Sequence, residues 1–229
     1  MKTKISSVVA AVGSLLLLIA SSSATSAATV TIFNDFGPGN TFQFSQAAPV
    51  AGSNSVFGYH AFAMPFTSPF EANVTQIDLG LLLIGAASDS VNVSLNINDG
   101  GTLGRALQSW SLSNLNLPPF GSTNSSVTTI DNIHGAHLKV DGSYYLYVTP
   151  ADSTTNVAWN INSIGTVDTR LVFAPDEMPQ LADLSAFRIF GTPTPPTQIE
   201  NPVPPAFPLF ATGLAVLGLL GWRRKRKAA

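Results

Sequence analysis

The chain is 229 residues long, 45% hydrophobic and only 10% charged, with 18 glycines, 16 prolines and no cysteine. That is enough chain for one ordinary domain with short appendages, and its ample apolar content excludes a disordered, highly charged tail protein. The missing cysteine excludes disulfide scaffolds, thiolate zinc sites, CxxC redox chemistry and cysteine nucleophiles.

The first segment pairs Lys2 and Lys4 with a short apolar run and a small-residue exit ending at Ala27 and Ala28. This is the pattern of a secretory signal peptide over residues 1–28, which implies passage through the Sec translocon and cleavage by signal peptidase.

The body, 29–192, reads as strands. Val91, Val93, Leu95 and Ile97 alternate with Asn92, Ser94, Asn96 and Asn98, a period of two that predicts a half-buried strand. Asp99-Gly100-Gly101 follows with the chemistry of a tight turn. Further strands are predicted at 29–33, 56–66, 74–83, 107–112, 126–130, 144–149, 157–161, 170–173 and 186–190. Turn signals such as Gly37-Pro38-Gly39, Pro118-Pro119 and Asp141-Gly142 separate them. With no amphipathic helix in the body, the expected fold is all-β, an antiparallel, jelly-roll-like β-sandwich.

Residues 193–206 are proline-rich and predict an extended linker. An uncharged run at 207–222 follows, containing Phe207, Leu214, Leu217 and Leu220 and ending in Trp222. As a helix its sixteen residues rise about 24 Å, slightly short of the roughly 30 Å of a hydrocarbon core. Arg223, Arg224, Lys225, Arg226 and Lys227 then form a stop-transfer cluster that belongs on the cytoplasmic side. Basic residues outside these two targeting segments are Arg105, Lys139, Arg170 and Arg188, set against all thirteen acids, a formal charge of −9. So acidic a body makes nucleic acid and anionic membrane poor partners.

The tail, 201–229, resembles the PEP-CTERM sorting signal of Gram-negative bacteria. The resemblance is carried by Pro202, Val203 and Pro204, the apolar block and the basic end, in that order. Valine stands where the family has glutamate. The resemblance implies processing by an exosortase after transient anchoring in the inner membrane, and delivery to the cell surface or an exopolysaccharide matrix.

The body resembles the choice-of-anchor R domain of bacterial surface proteins. The matching stretches are the Asn34-Asp35-Phe36-Gly37-Pro38-Gly39-Asn40 run, the segment from Gly104 to Trp110, the segment from Leu138 to Leu146, Ala158-Trp159-Asn160, and Ala186-Phe187-Arg188-Ile189-Phe190-Gly191. The resemblance implies a secreted β-sandwich joined to alternative anchors, and it carries no catalytic residues.

Candidate chemistry in the body is sparse. His134 and His137 form a pair without the helical HExxH context of a zinc site, and His60 reads as a sheet residue. No GxSxG is present, and Asp176-Glu177 sit in a proline-flanked turn. Calcium would call on Asp35 or Asp99, each beside asparagines, but Asn and Asp there equally serve turns. Of Trp110, Trp159, Tyr144, Tyr145 and Tyr147, Trp159 is expected to point inward. Tyr145 and Tyr147 share one face and are the candidates for stacking against sugar rings.

The expected function is therefore non-enzymatic: an exported, exosortase-sorted surface or matrix protein, associated with exopolysaccharide or biofilm and without a cofactor. A carbohydrate-binding module, with or without calcium, and a glycan hydrolase are the alternatives left open.

Overall fold

The computed structural model describes residues 28–123, 126–175 and 178–194. The sorting motif, the apolar run, the basic cluster and the N-terminal leader lie outside the described residues, as do Asp176 and Glu177. Among the described residues there is no α-helix, and no helix is long and apolar enough to cross a membrane.

Among the described residues fourteen strands form three antiparallel sheets. One sheet holds β1 (Val30–Asn34), β14 (Phe187–Pro193), β4 (Ala72–Leu79) and β8 (Thr128–Ile130) in that order, with β9 (His137–Leu138) also on β4. The largest runs β13 (Gln180–Asp183), β12 (Val167–Phe173), β3 (Ala61–Thr67), β10 (Ser143–Pro150), β6 (Val91–Asp99), β7 (Thr102–Leu112). The third is β2 (Phe42–Ala51), β11 (Asn156–Asn162), β5 (Leu81–Leu83).

The main core joins all three sheets. Phe62, Met64, Phe66, Val93, Leu95 and Leu146 of the six-stranded sheet share one cluster with Ile32, Ile77, Leu79, Phe187 and Ile189 of the first, and with Val50, Leu81 and Trp159 of the third. The result is an antiparallel β-sandwich in which the two smaller sheets together face the larger one. The two smaller sheets meet at one junction. Gly80 N donates to Ala186 O at 3.0 Å, Ala186 N to Asn160 O at 2.7 Å, and Asn160 N to Gly80 O at 2.9 Å. Gly80, between β4 and β5, and Ala186, just before β14, thereby satisfy their backbone groups on each other and on Asn160 within β11. A side chain at position 80 would meet Phe42 and Ala186 at 3.1–3.2 Å, which accounts for glycine there.

The alternation in β6 is observed from Val91 to Leu95, where Val91, Val93 and Leu95 are fully buried and Asn92 and Ser94 half-buried. It breaks at the bulge against β7, where Asn96 is buried with its amide on Gly104 O and Ile97 is half-buried. Other boundaries differ. The predicted strand at 74–83 divides at Gly80 into β4 and β5. The predicted strand at 56–66 starts only at Ala61, because 52–58 is closed by turns (Ser55 N to Gly52 O, 3.0 Å; Gly58 N to Ser55 O, 2.9 Å), with Gly58 at a positive φ of 67°. Strand β2, which its polar and alanine-rich sequence conceals, contains Pro49. It lies at a sheet edge, where a missing N–H is tolerated.

Candidate functional site

The registers of the six-stranded sheet define its outer face residue by residue. Leu171 of β12 lies beside Ala63 of β3, Ala63 beside Tyr147 of β10, Tyr147 beside Ser94 of β6, and Ser94 beside Ser109 of β7. The next rows add Phe173 and Ala61 on one side and Asn92 with Ser111 on the other. One half of the face is thus aromatic and apolar; the other is a ladder of Ser and Asn, with Ser111 Oγ donating to Asn92 Oδ1 at 2.7 Å.

Tyr147 is the centre of the aromatic half. Its ring packs on Phe173 with centroids 4.9 Å apart. Burial, followed by the nearby Tyr59 and its hydrogen bond, pushes the Tyr147 hydroxyl well above the usual phenol range. Tyr59 comes from the loop before β3 and is 41% exposed. The sequence does not place it here, because it predicts strand where the loop lies. Phe57 and Val56 of the same loop are also exposed, Val56 at 92%.

Tyr145 corrects the expectation that it stacks on sugar alongside Tyr147. It does share the outer face, but it is only 3% exposed and belongs to a small cluster with Ala63 and Leu171, flanked by Leu103. The β6–β7 hairpin brings Leu103 over it, so its ring forms wall rather than platform. It borders a cleft of about 700 Å³ that also touches Thr67, Ser143 and Asp168. Burial, and secondarily the Asp168 carboxylate, raise its hydroxyl pKa.

The remaining sequence candidates are drawn into structural roles. Trp159 is buried, as expected, its Nε1 donating to Ala186 O at 3.1 Å. Trp110 packs at the margin of the main core, and Tyr144 is buried within it. His137 is fixed by Glu71 at 2.8 Å and Asn73 at 3.1 Å, His134 is exposed, and His60 stacks near Phe62.

Asp35 is not an open ligand: it is 1% exposed, and Oδ1 accepts the Phe187 amide at 2.7 Å. Burial raises its pKa to about 8, which favours a protonated oxygen over one that binds a cation. Its neighbour Asn34 caps a turn by accepting Phe36 N at 3.3 Å. Asp99 is exposed at the β6–β7 turn, where its carbonyl accepts the Thr102 hydroxyl at 2.6 Å and Asn98 Oδ1 accepts Gly101 N at 2.7 Å. The Asn and Asp side chains of both stretches weighed for calcium are thus engaged in local hydrogen bonds. Among the described residues no three His, Asp or Glu side chains gather as a metal site.

No protein-family model matches this chain, and no curated protein matches it.

Proposed function

We propose that this chain is an exported, non-enzymatic β-sandwich of a bacterial surface or extracellular matrix, held and sorted by its tail and associated with glycan. The leader, the valine-bearing sorting motif and the basic end support handling by the Sec translocon, signal peptidase and an exosortase. The sandwich is jelly-roll-like in that its first and last described strands, β1 and β14, pair side by side. The observation that carries the glycan reading is the outer face, where Tyr59, Tyr147 and Phe173 adjoin Asn92, Ser94 and Ser111. Sugar rings present apolar C–H faces to aromatics and hydroxyls to amides and hydroxyls, and such a face offers both.

The test is co-sedimentation of the full-length protein with the exopolysaccharide of the cells that make it, alongside the mass of the mature chain. Retention of the wild type, falling several-fold in the Tyr59→Ala/Tyr147→Ala double variant, supports the reading. Equal retention of the wild type and the double variant overturns the aromatic face as the binding site, no retention of the wild type overturns the glycan role, and an uncleaved tail in all mature protein overturns the sorting role.

A further inference from the structure

The body carries four basic side chains in all. Arg188 is paired with Asp78 at 2.6 Å, and Arg170 bonds Gln180 at 3.1 Å and lies over the Phe62 ring. Among the described residues Arg105 and Lys139 have no acidic partner. Nothing in sequence spacing joins these two, yet the fold sets both on one cleft of about 550 Å³. The cleft opens between β6–β7 of the large sheet and the β9 segment of the opposite one.

This cleft is built rather than incidental. Its floor includes Ile97, Leu107 and the buried Tyr144. The Tyr144 hydroxyl accepts Lys139 N at 2.7 Å, which pins the backbone that carries the lysine. A Cβ on Gly142 would strike that hydroxyl at 2.5 Å, so the glycine is what lets the ring lie there. Asn98, which donates to Ser143 Oγ at 3.0 Å, adds polar groups to the wall.

We propose that this cleft binds a uronic acid residue of a polysaccharide. Arg105 and Lys139 take the sugar carboxylate, the apolar floor takes a ring face, and Asn98 and Ser143 take hydroxyls. The chemistry favours an anion, because Arg105 and Lys139, neither with an acidic partner among the described residues, line one concavity, where the neighbouring His137 is already paired with Glu71. It requires a ligand with a flat apolar face and several hydroxyls, because that is what the floor and wall offer. The formal charge of −9 outside the two targeting segments limits the anion further. Two cations neutralise one or two carboxylates at short range, while the rest of the surface repels a dense polyanion. A glycan with widely spaced uronates fits best. This inference borrows from the proposed function only the ligand class, and it uses a different surface.

The test is calorimetric titration of the full-length chain in detergent with a glucuronate-containing tetrasaccharide, its carboxyl-reduced counterpart and a glutamate hexapeptide. The acidic sugar should bind about tenfold or more tightly than the reduced one, the loss expected for a charge-assisted contact. The Arg105→Gln/Lys139→Gln variant should lose the same factor, while Tyr59→Ala/Tyr147→Ala should keep it. Both basic residues are exposed, so circular dichroism and melting should match wild type. Equal binding of acidic and reduced sugars, no effect of the double variant, or equal binding of the glutamate peptide would overturn the proposal. Retention on whole exopolysaccharide through Tyr59 and Tyr147 would still stand in each case, so the two readings fail separately.

Discussion

Asp35 and Phe187 are bonded to each other twice across the end of β1: Asp35 Oδ1 accepts Phe187 N at 2.7 Å, and Asp35 N donates to Phe187 O at 3.2 Å. The carboxylate lies inside the protein with Oδ2 unbonded. Its pKa is about 8 in the fold against 3.8 for a free side chain. Between those values the folded chain holds a proton that the unfolded chain has lost. This group's contribution is therefore fullest below about pH 4, falls as pH rises, and levels off above about 8, with a slope of up to about 1.4 kcal/mol per pH unit. Asp35→Asn should flatten that slope in urea unfolding followed from pH 4 to 8. An unchanged slope would assign it to another group.

Asp78 is 2% exposed, and both of its carboxylate oxygens accept hydrogen bonds. Arg188 Nη2 and Nε donate to Oδ2 at 2.6 and 3.1 Å, while Gln76 and Thr129 donate to Oδ1 at 2.8 and 2.9 Å. Arg188 also lies over Phe190 and Phe36 and bonds Asn40. Arg188→Met should cost about 3–5 kcal/mol, because it strands a buried carboxylate. Adding Asp78→Leu should return a substantial part. A double variant no more stable than the single would show that the loss is packing around the guanidinium.

Much of this fold was visible in residue order. Strand β6 follows from period two, and the inward direction of Trp159 follows from its parity with Val157 and Ile161. What stayed hidden has physical causes. β2 depends on an edge position that tolerates Pro49, and β13 is a short, polar edge strand whose Leu181 is 77% exposed. The candidate surfaces were half legible. Parity put Tyr145 and Tyr147 on one face, but only the hairpin carrying Leu103 decides which ring is covered. The meeting of Arg105 with Lys139 depends on how two sheets stack, and no spacing along the chain encodes it.

Asn162 acts as a splice at the end of β11. Its Nδ2 donates to Thr166 O and Leu184 O, each at 2.8 Å, and its Oδ1 accepts Ile164 N at 3.1 Å and Thr166 N at 2.9 Å. Asn162→Ala removes four bonds: the Ile164 and Thr166 amides lose their acceptor, while Leu184 O and Thr166 O keep only the amides of Asn162 and Leu184. The expected cost is roughly 2–4 kcal/mol in urea unfolding, at about 1 kcal/mol per bond. Asn162→Asp, which keeps the acceptor and loses the two donated bonds, should also be destabilised. A loss below about 1 kcal/mol in the alanine variant would mean that water replaces the side chain.

Gly191 is needed for space. A Cβ there would sit 2.6 Å from Asn73 O and 2.5 Å from Ile32 Cδ1. The isoleucine can rotate, but the carbonyl belongs to β4, whose ladder with β14 holds it. Gly191→Ala should destabilise by about 1–3 kcal/mol. A melting point equal to wild type would show that the β4–β14 register slides to make room.

The pairing of β1 with β14 also sets an order of events. Val30 lies opposite Gly191, so the earliest described strand waits for the latest before it has any neighbour in its sheet. Until residues 187–193 emerge, Ile32, Ile77 and Leu79 face no finished core. Closure across so long a stretch of chain is slow, which leaves the polypeptide threadable for as long as its last strand is still being made.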